Sequence, residues 1–286
     1  GDADEYLESN SLMELIGGKG IADGPLTAVT DNLSTNPLTA RFRFYRVKRS
    51  DGSEVSRQTV GVFEMTLTTM PALKFISTPL IPDPDHKSAR EILGEGAARQ
   101  VPSSGFQVSD LNEATGAIAR MRYMLPDTSV FTVLPPGATE FDIEAGVAYE
   151  VLMAGLTSKK IRFTGYVPET TLPVDIQKAT SQSVRWMAYS MPRDTTLDDL
   201  GLVEAVTTWR SGNRVRLLPL NGSAWGTYAY NTTGSYWYLV TAPGVPVDPA
   251  LTAGMGIVFI RADFLTPTPA DVLPEVPWYT SPPNEW

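Results

Sequence analysis

Prolines and glycines interrupt this chain so often that they exclude long helices from most of it. The 286 residues include 23 prolines and 23 glycines, which divide the sequence into short apolar segments. Proline removes a backbone donor and fixes φ, and glycine weakens the interior of helices and strands. The pattern favours many short strands joined by turns. The hydrophobic share of 42% is sufficient for a packed core.

The residue types that are rare or missing limit the chemistry of the chain. It has no cysteine and one histidine, His86, so disulfides and thiolate metal sites are excluded. A serine triad would have to use His86, and no Gly-x-Ser-x-Gly elbow accompanies it. We therefore predict a protein that is not an enzyme and needs no cofactor. No apolar run approaches the ~18–20 residues that span a bilayer, so no membrane span is predicted.

Charge is distributed unevenly and divides the chain into three parts. The net charge is −9, of which residues 1–37 carry −6 and residues 265–286 carry −3, leaving residues 38–264 neutral. Acidic ends repel phosphates, so a basic nucleic-acid-binding arm is excluded. We predict an N-terminal arm over 1–37, a folded domain over 38–264 and an extended, proline-rich C-terminal strap over 265–286.

Between residues 38 and 264, short segments rich in β-branched and aromatic residues recur every ~10 residues. This spacing indicates one antiparallel sandwich or barrel. One short helix is predicted after Lys87, and a second short helix or a loop is predicted between Asp194 and Val203. A hairpin turn is predicted over residues 231–234. The predicted strands cover residues 41–47, 59–68, 72–76, 117–125, 129–134, 139–143, 147–153, 160–166, 183–189, 213–218, 224–230, 235–241 and 256–264.

The order of these features resembles the jelly-roll coat proteins of picorna-like viruses (order Picornavirales), in particular insect-virus-like and algal- or marine-virus-like members. An acidic arm precedes a Phe-Arg-Phe-Tyr-Arg strand at 42–46, a helix follows the second strand, and the last strand leads into Asp263-Phe264. The segment Leu273 to Tyr279 is similar to an acid-Val-Pro-aromatic-Tyr stretch of such proteins. The resemblance implies an all-β, eight-stranded antiparallel jelly-roll β-sandwich with an arm, a strap and two short helices.

The resemblance also implies a function. It indicates a structural capsid subunit, cut from a polyprotein, that assembles with sister coat proteins and with copies of itself around a symmetry axis. The icosahedral shell would enclose an RNA genome, which the acidic arm contacts only indirectly, and would bind a host receptor. The expected location is the virion, and the host cytoplasm during assembly. The expected contact residues are Tyr6, Leu12 and Ile16 in the arm, Tyr228 and Tyr230 on the hairpin, and Trp278 and Tyr279 in the strap.

The segment Asp83-Pro84-Asp85-His86 is the one candidate metal site. Two carboxylates and an imidazole are plausible ligands for a divalent cation, and His86 could act as a pH switch. The alternative is a proline-stiffened surface turn in which Asp85 caps a helix, and this alternative is the favoured interpretation.

The aromatic residues of the C-terminal half favour an alternative function, a carbohydrate-binding or carbohydrate-active β-sandwich. Tyr228 and Trp237 would stack on sugars there, although a place in the core is the favoured interpretation for Trp186 and Trp237. Acids that could serve such an enzyme are Asp198, Asp199 and Glu204, which are otherwise solvated acids of a short helix. A phage or cell-surface structural module is a third alternative.

Overall fold

The computed structural model describes the chain as short strands that pair with antiparallel neighbours, which confirms the all-β class. Every pair of named strands is antiparallel, as expected from the frequent tight turns. The described residues are 42–45, 60–68, 73–85, 87–89, 92, 106–112, 117–123, 131–134, 141–153, 158–168, 172–175, 184–189, 192–206, 209–220, 224–262 and 272–275.

Eighteen strand segments and one short helix, α1 (Leu202–Ala205), make up the regular structure of these described residues. The strands are β1 (Phe42–Tyr45), β2 (Val60–Thr68), β3 (Leu73–Ile76), β4 (Phe106–Asn112), β5 (Ala117–Tyr123), β6 (Phe131–Leu134), β7 (Tyr149–Met153), β8 (Ser158–Tyr166), β9 (Leu172–Asp175), β10 (Val184–Ala188), β11 (Thr195–Thr196), β12 (Arg214–Leu217), β13 (Gly226–Asn231), β14 (Tyr236–Leu239), β15 (Pro246–Val247), β16 (Ala250–Leu251), β17 (Gly256–Ile260) and β18 (Val272–Glu275).

The described strands form five sheets. The largest has six strands in the order β10-β17-β12-β13-β14-β15, and a second has five in the order β3-β7-β4-β5-β6. A three-stranded sheet has the order β1-β2-β8, and the pairs β11-β16 and β9-β18 complete the set. Isolated bridges from Ile76 to Met255 and from Val147 to Met187 connect the five-stranded sheet to the six-stranded one.

The main core lies between the three largest sheets. Phe63 of β2 and Phe163 of β8 stack with ring centroids 6.2 Å apart, and both side chains are buried. Phe259 of β17, Trp237 of β14 and Val151 of β7 belong to the same buried cluster. Each strand contributes alternate residues to this core, as the two-residue period of a strand requires.

A second, smaller core covers the other face of β10 and β17. Phe75 of β3 packs edge-on against Trp186 of β10, with centroids 4.9 Å apart, and Ala148, Ala188 and Val258 complete the buried cluster. Strands β10 and β17 are therefore covered on both faces, which explains why residues 186–188 and 257–260 are apolar at successive positions.

At the crossing of β8 with residue 81, two backbones approach too closely for any side chain. Ile81 and Tyr166 exchange two backbone hydrogen bonds of 2.8 Å. A Cβ atom added at Gly165 would collide with the carbonyl group of Ile81. Glycine is therefore required at this position.

The structure differs from the predictions in four places. Residues 141–143, predicted as part of a strand, form only a bridge between Asp142 and Ser88. Strand β4 was not expected, and Val272–Glu275, assigned to an extended strap, pairs with Leu172–Asp175 as strand β18. Between 194 and 203, where a short helix or loop was expected, the structure has β11 and turns, and α1 begins only at Leu202. Most of the helix expected after Lys87 lies outside the described residues, as does the boundary between arm and domain.

Candidate interaction surface

The register of the six-stranded sheet fixes which side chains share a face in its β12–β14 half. Val215 of β12 lies opposite Phe259 and Tyr228, and Tyr230 lies opposite Trp237. These positions all pack on or within the main core. The intervening positions point to the other side, which we call the outer face, because side chains alternate along a strand.

The aromatic residues divide between the two faces. Trp237 is 1% exposed and Trp186 is 9% exposed, which confirms the prediction that both are core residues. Tyr228 and Tyr230 are half-buried and pack against the main core, and burial raises the pKa of Tyr228. Their assignment as subunit contacts remains a prediction. Trp237 is buried, so its ring is not accessible for the sugar stacking suggested from the sequence.

On the outer face, strand β13 carries small side chains between the larger ones of its two neighbours. Thr227 and Ala229 are these small residues, and Ala229, which lies opposite Tyr238 of β14, is 1% exposed. Arg214 and Arg216 of β12 flank β13 on one side, and Tyr236 and Tyr238 of β14 flank it on the other.

The side chains that flank β13 on the outer face differ in how firmly they are held. The Arg214 guanidinium donates to the backbone carbonyl groups of Ser211 and Asn213, the latter at 2.7 Å. Arg216 is exposed and has no ion-pair partner among the described residues. The rings of Tyr236 and Tyr238 meet edge to face at 6.4 Å.

The predicted hairpin turn between β13 and β14 is confirmed, and Asn231 holds it. Its side-chain oxygen accepts the backbone N–H groups of Thr233 and Gly234, both at 3.0 Å. Its side-chain nitrogen donates to the hydroxyl of Tyr236 at 3.0 Å. The turn needs Ser235 at a φ of 54°, a conformation that such local side-chain bonds help to support. Asn231 thereby fixes the Tyr236 ring on the outer face.

An apolar run lies at the opposite end of the same hairpin. Residues 240–246 are all exposed, with Val240 at 40% and Val245 at 57%. Trp225, which precedes β13, is 39% exposed and touches the ring of Phe75 at 5.5 Å. The backbone N–H of Val240 donates to the carbonyl of Thr227 at 2.9 Å, so Val240 lies beside the residues that follow Trp225. The sequence analysis missed this patch because a local sequence pattern does not show which apolar side chains remain exposed in the fold.

The carboxylates singled out for a glycosidase lie near one another but on the surface. Asp198 and Asp199 are exposed, and the backbone N–H of Asp198 donates to Asp248 at 3.1 Å. The pKa of Asp198 is raised, mainly because the carboxyl group partly loses its solvent. Repulsion from Asp248, Glu204 and Asp199 raises it further. The arrangement gives one carboxyl group that protonates more readily than usual, which is expected of clustered acids.

The candidate metal segment forms a turn in the structure. The Asp83 carboxylate accepts the backbone N–H of Asp85 at 3.0 Å, across Pro84. This is a local aspartate turn, as in the alternative interpretation, and the helix that Asp85 was expected to cap lies mostly outside the described residues. His86 lies outside the described residues. In the part of the chain that the structure describes, no three Asp, Glu, His or Cys side chains are grouped to hold a metal ion.

The remaining contact residues proposed from the sequence, Tyr6, Leu12, Ile16, Trp278 and Tyr279, lie outside the described residues. None of the helices in the described part of the chain has the length and apolar character needed to cross a membrane. Among known proteins, no family model, no curated protein and no solved structure matches this chain.

Proposed function

We propose that this chain is a structural subunit of an icosahedral capsid, folded as a jelly roll and assembled with sister coat proteins around an RNA genome. The observation that carries the proposal is the exposed apolar run at residues 240–246 together with Trp225. An exposed apolar patch is commonly a contact site for another protein.

The composition around this patch supports a buried contact. Residues 217–247 contain no charged side chain, although the chain as a whole is 19% charged. Depletion of charge and enrichment in aromatic residues are the compositional signs of the central part of a protein interface. The antiparallel sheets around a shared core also suit a jelly roll, in which two sheets pack face to face. No catalytic role is proposed, and the expected locations are the virion and the host cytoplasm.

The first experiment is the particle mass of natively purified material, by sedimentation and electron microscopy. Megadalton shells that contain this chain together with sister subunits would support the proposal. Material that sediments as a monomer of the chain's own mass would refute it.

A matched pair of variants tests the patch itself. Val245→Asp places a charge in the exposed run, and Thr232→Asp places the same charge at the exposed hairpin tip at the other end of β13 and β14. Both variants should unfold at the wild-type temperature, because both positions are exposed. Only Val245→Asp should prevent shell formation, since burial of an unpaired carboxylate costs several kcal/mol, at least ~2. Equal assembly of both variants would exclude residues 240–246 as a contact.

The alternative of a carbohydrate-binding sandwich is favoured by one observation, the half-exposed pair Tyr236 and Tyr238 on the outer face. Sugar rings stack on such aromatic surfaces. A glycan array probed with the native protein and with Tyr238→Ala distinguishes this alternative. Glycan binding by a monomer that is lost in Tyr238→Ala would move it to first place.

A further inference from the structure

The outer face of the β12–β14 half carries basic and aromatic side chains together. Arg214 and Arg216 lie on β12, and Tyr236 and Tyr238 lie on β14, with the small residues of β13 between them. We call these four side chains the Arg–Tyr face. Ala229 of β13 is 1% exposed between them, so the surface is filled rather than recessed. Because adjacent strands are ~4.8 Å apart, the strands that carry its basic and aromatic edges are separated by ~10 Å.

Residues 209–247 are the basic part of an acidic chain. They contain three arginines, Arg210, Arg214 and Arg216, and no acid, so they carry +3, whereas the whole chain carries −9. Arg210 and Arg216 are exposed and have no ion-pair partner within the described residues. Arg214 donates from one guanidinium nitrogen, Nη1, to two backbone carbonyl groups of the preceding turn, which holds the group in place without neutralising its charge. The face therefore presents positive charge to an anion.

The next acid along the chain lies at the opposite edge of the sheet. Asp248 follows β15, which pairs with β14, and its carboxylate accepts the backbone N–H of Asp198 at 3.1 Å. Strand β15 is three strand spacings, or ~14 Å, from β12, which exceeds the ~8 Å Debye length at physiological salt. Repulsion from Asp248 is therefore weak at the arginines, and it favours an anion on the β12 side of the face.

The two tyrosines add a surface on which flat rings can stack. Tyr236 and Tyr238 are half-exposed, and their rings meet edge to face at 6.4 Å. The side chain of Asn231 donates to the Tyr236 hydroxyl at 3.0 Å, which holds that ring in position. Nucleic-acid bases stack on exposed aromatic side chains, and arginines pair with phosphate oxygens. A surface that offers both groups suits a single strand, because its bases are not already paired.

Other ligands would use only part of this surface. A sulfated glycan would pair with the arginines but has no flat bases to stack, and a neutral sugar would leave the arginines unused. An extended single strand has phosphates along one edge and bases along the other, which matches the separation of the basic and aromatic edges of the Arg–Tyr face.

We propose that the Arg–Tyr face binds single-stranded RNA, with the bases stacked on Tyr236 and Tyr238 and the phosphates paired with the arginines of residues 210–216. This inference rests on the proposed function, in which the shell encloses an RNA genome. The RNA contact then lies on the folded domain rather than on the acidic arm.

The salt dependence of RNA binding by the full chain tests the charge half of the proposal. Fluorescence anisotropy follows a labelled polyuridine strand longer than the ~4–16 nucleotides that single-strand sites cover. At ~0.7 per phosphate contact, three arginines predict a slope of log affinity against log salt of about −2, or an affinity loss of about 18-fold between about 50 and 200 mM salt. A slope near zero, or no binding at about 50 mM salt, would overturn the proposal.

Two variants separate the roles of charge and stacking. Arg216→Gln should weaken binding by about fivefold or more and reduce the slope to about −1.4. Tyr238→Ala should weaken binding by about fivefold or more and leave the slope unchanged, since stacking releases no counterions. The control is Arg162→Gln, the same charge change at an exposed arginine of β8, which should leave both quantities unchanged. Equal losses in Arg162→Gln and Arg216→Gln, or full affinity in Tyr238→Ala, would overturn the Arg–Tyr face as the site.

Cross-linking locates the contact in the unmodified chain. Irradiation with RNA that contains 4-thiouridine should give cross-links at Tyr236 or Tyr238, identified by mass spectrometry. Cross-links confined to residues 1–37, or none within residues 209–247, would overturn the proposal. Heparin, which has charge but no bases, should displace the RNA only weakly; displacement at equal concentrations of anionic groups would identify an anionic-glycan site and overturn RNA as the ligand.

The same cross-link in native particles separates this proposal from the capsid function. Shells whose RNA never cross-links to residues 209–247 overturn the RNA contact and leave the capsid function standing. A chain that binds RNA through the Arg–Tyr face but sediments natively as a monomer supports the RNA contact and overturns the capsid function.

Discussion

Adjacent residues of β14 should differ sharply in what they contribute to stability. Trp237 is 1% exposed, and its ring meets those of Trp209 at 5.5 Å and Tyr230 at 5.2 Å. Replacement of such a residue by alanine costs about 3–5 kcal/mol through lost burial and a cavity. Tyr238 is half-exposed on the outer face, so its replacement should cost about 1 kcal/mol or less.

Thermal and guanidinium unfolding of Trp237→Ala and Tyr238→Ala measure this difference. At ~2–4 °C per kcal/mol, Trp237→Ala should lower the Tm by about 6–20 °C, and Tyr238→Ala by at most about 4 °C. A shift of one residue in the pairing of β14 would exchange the two faces. Equal losses, or a larger loss in Tyr238→Ala, would therefore refute the register and with it the assignment of Tyr238 to the outer face.

Three further changes test other parts of the structure. Gly165→Ala should destabilise the fold by about 1–3 kcal/mol because its methyl group meets the carbonyl of Ile81; an unchanged denaturation midpoint would contradict that contact. Asp198→Asn should raise stability at pH 7, by less than about 1 kcal/mol after solvent screening. Since partial loss of solvent and then repulsion from Asp248 raise the pKa of Asp198, wild-type stability falls as pH rises through that pKa, and denaturation at pH 7 and pH 3 should show the gain only at pH 7. Asn231→Ala should cost about 1–2 kcal/mol, and Asn231→Asp should cost less because it keeps both acceptor bonds of the turn; equal midpoints for the two variants would show that those bonds contribute nothing.

Strand positions were largely predictable from the sequence, but pairing was not. Alternation located β2, β8, β10 and the β13–β14 hairpin to within a few residues. Local patterns carry no information about partners far along the chain, such as β2 with β8 or β10 with β17. The tail strand β18 was missed because Pro274 suggests a break, yet an edge strand tolerates proline where its N–H would face outward.

For the candidate surface, only the residue types and the local hairpin were predictable from the sequence. The sequence indicated an aromatic hairpin and a turn at 231–234, and it correctly favoured Trp237 for the core. It gave no basis for choosing Tyr236 and Tyr238 over Tyr228 and Tyr230, because β14 reads Tyr-Trp-Tyr-Leu and shows no apolar–polar alternation that would distinguish its two faces. The exposure of Val245 depends on tertiary position, which a local pattern does not contain.

Strand β17 has a consequence for how the chain is made. It pairs with β10 on one side and β12 on the other, and both of its faces are covered. Residues 256–260 therefore have to be synthesised before the largest sheet can close, and until then the apolar faces of β10 and β12 stay open to solvent. Pairings over such sequence distances form slowly and leave aggregation-prone surface exposed. During translation, this chain should depend on chaperones until the last central strand has emerged from the ribosome.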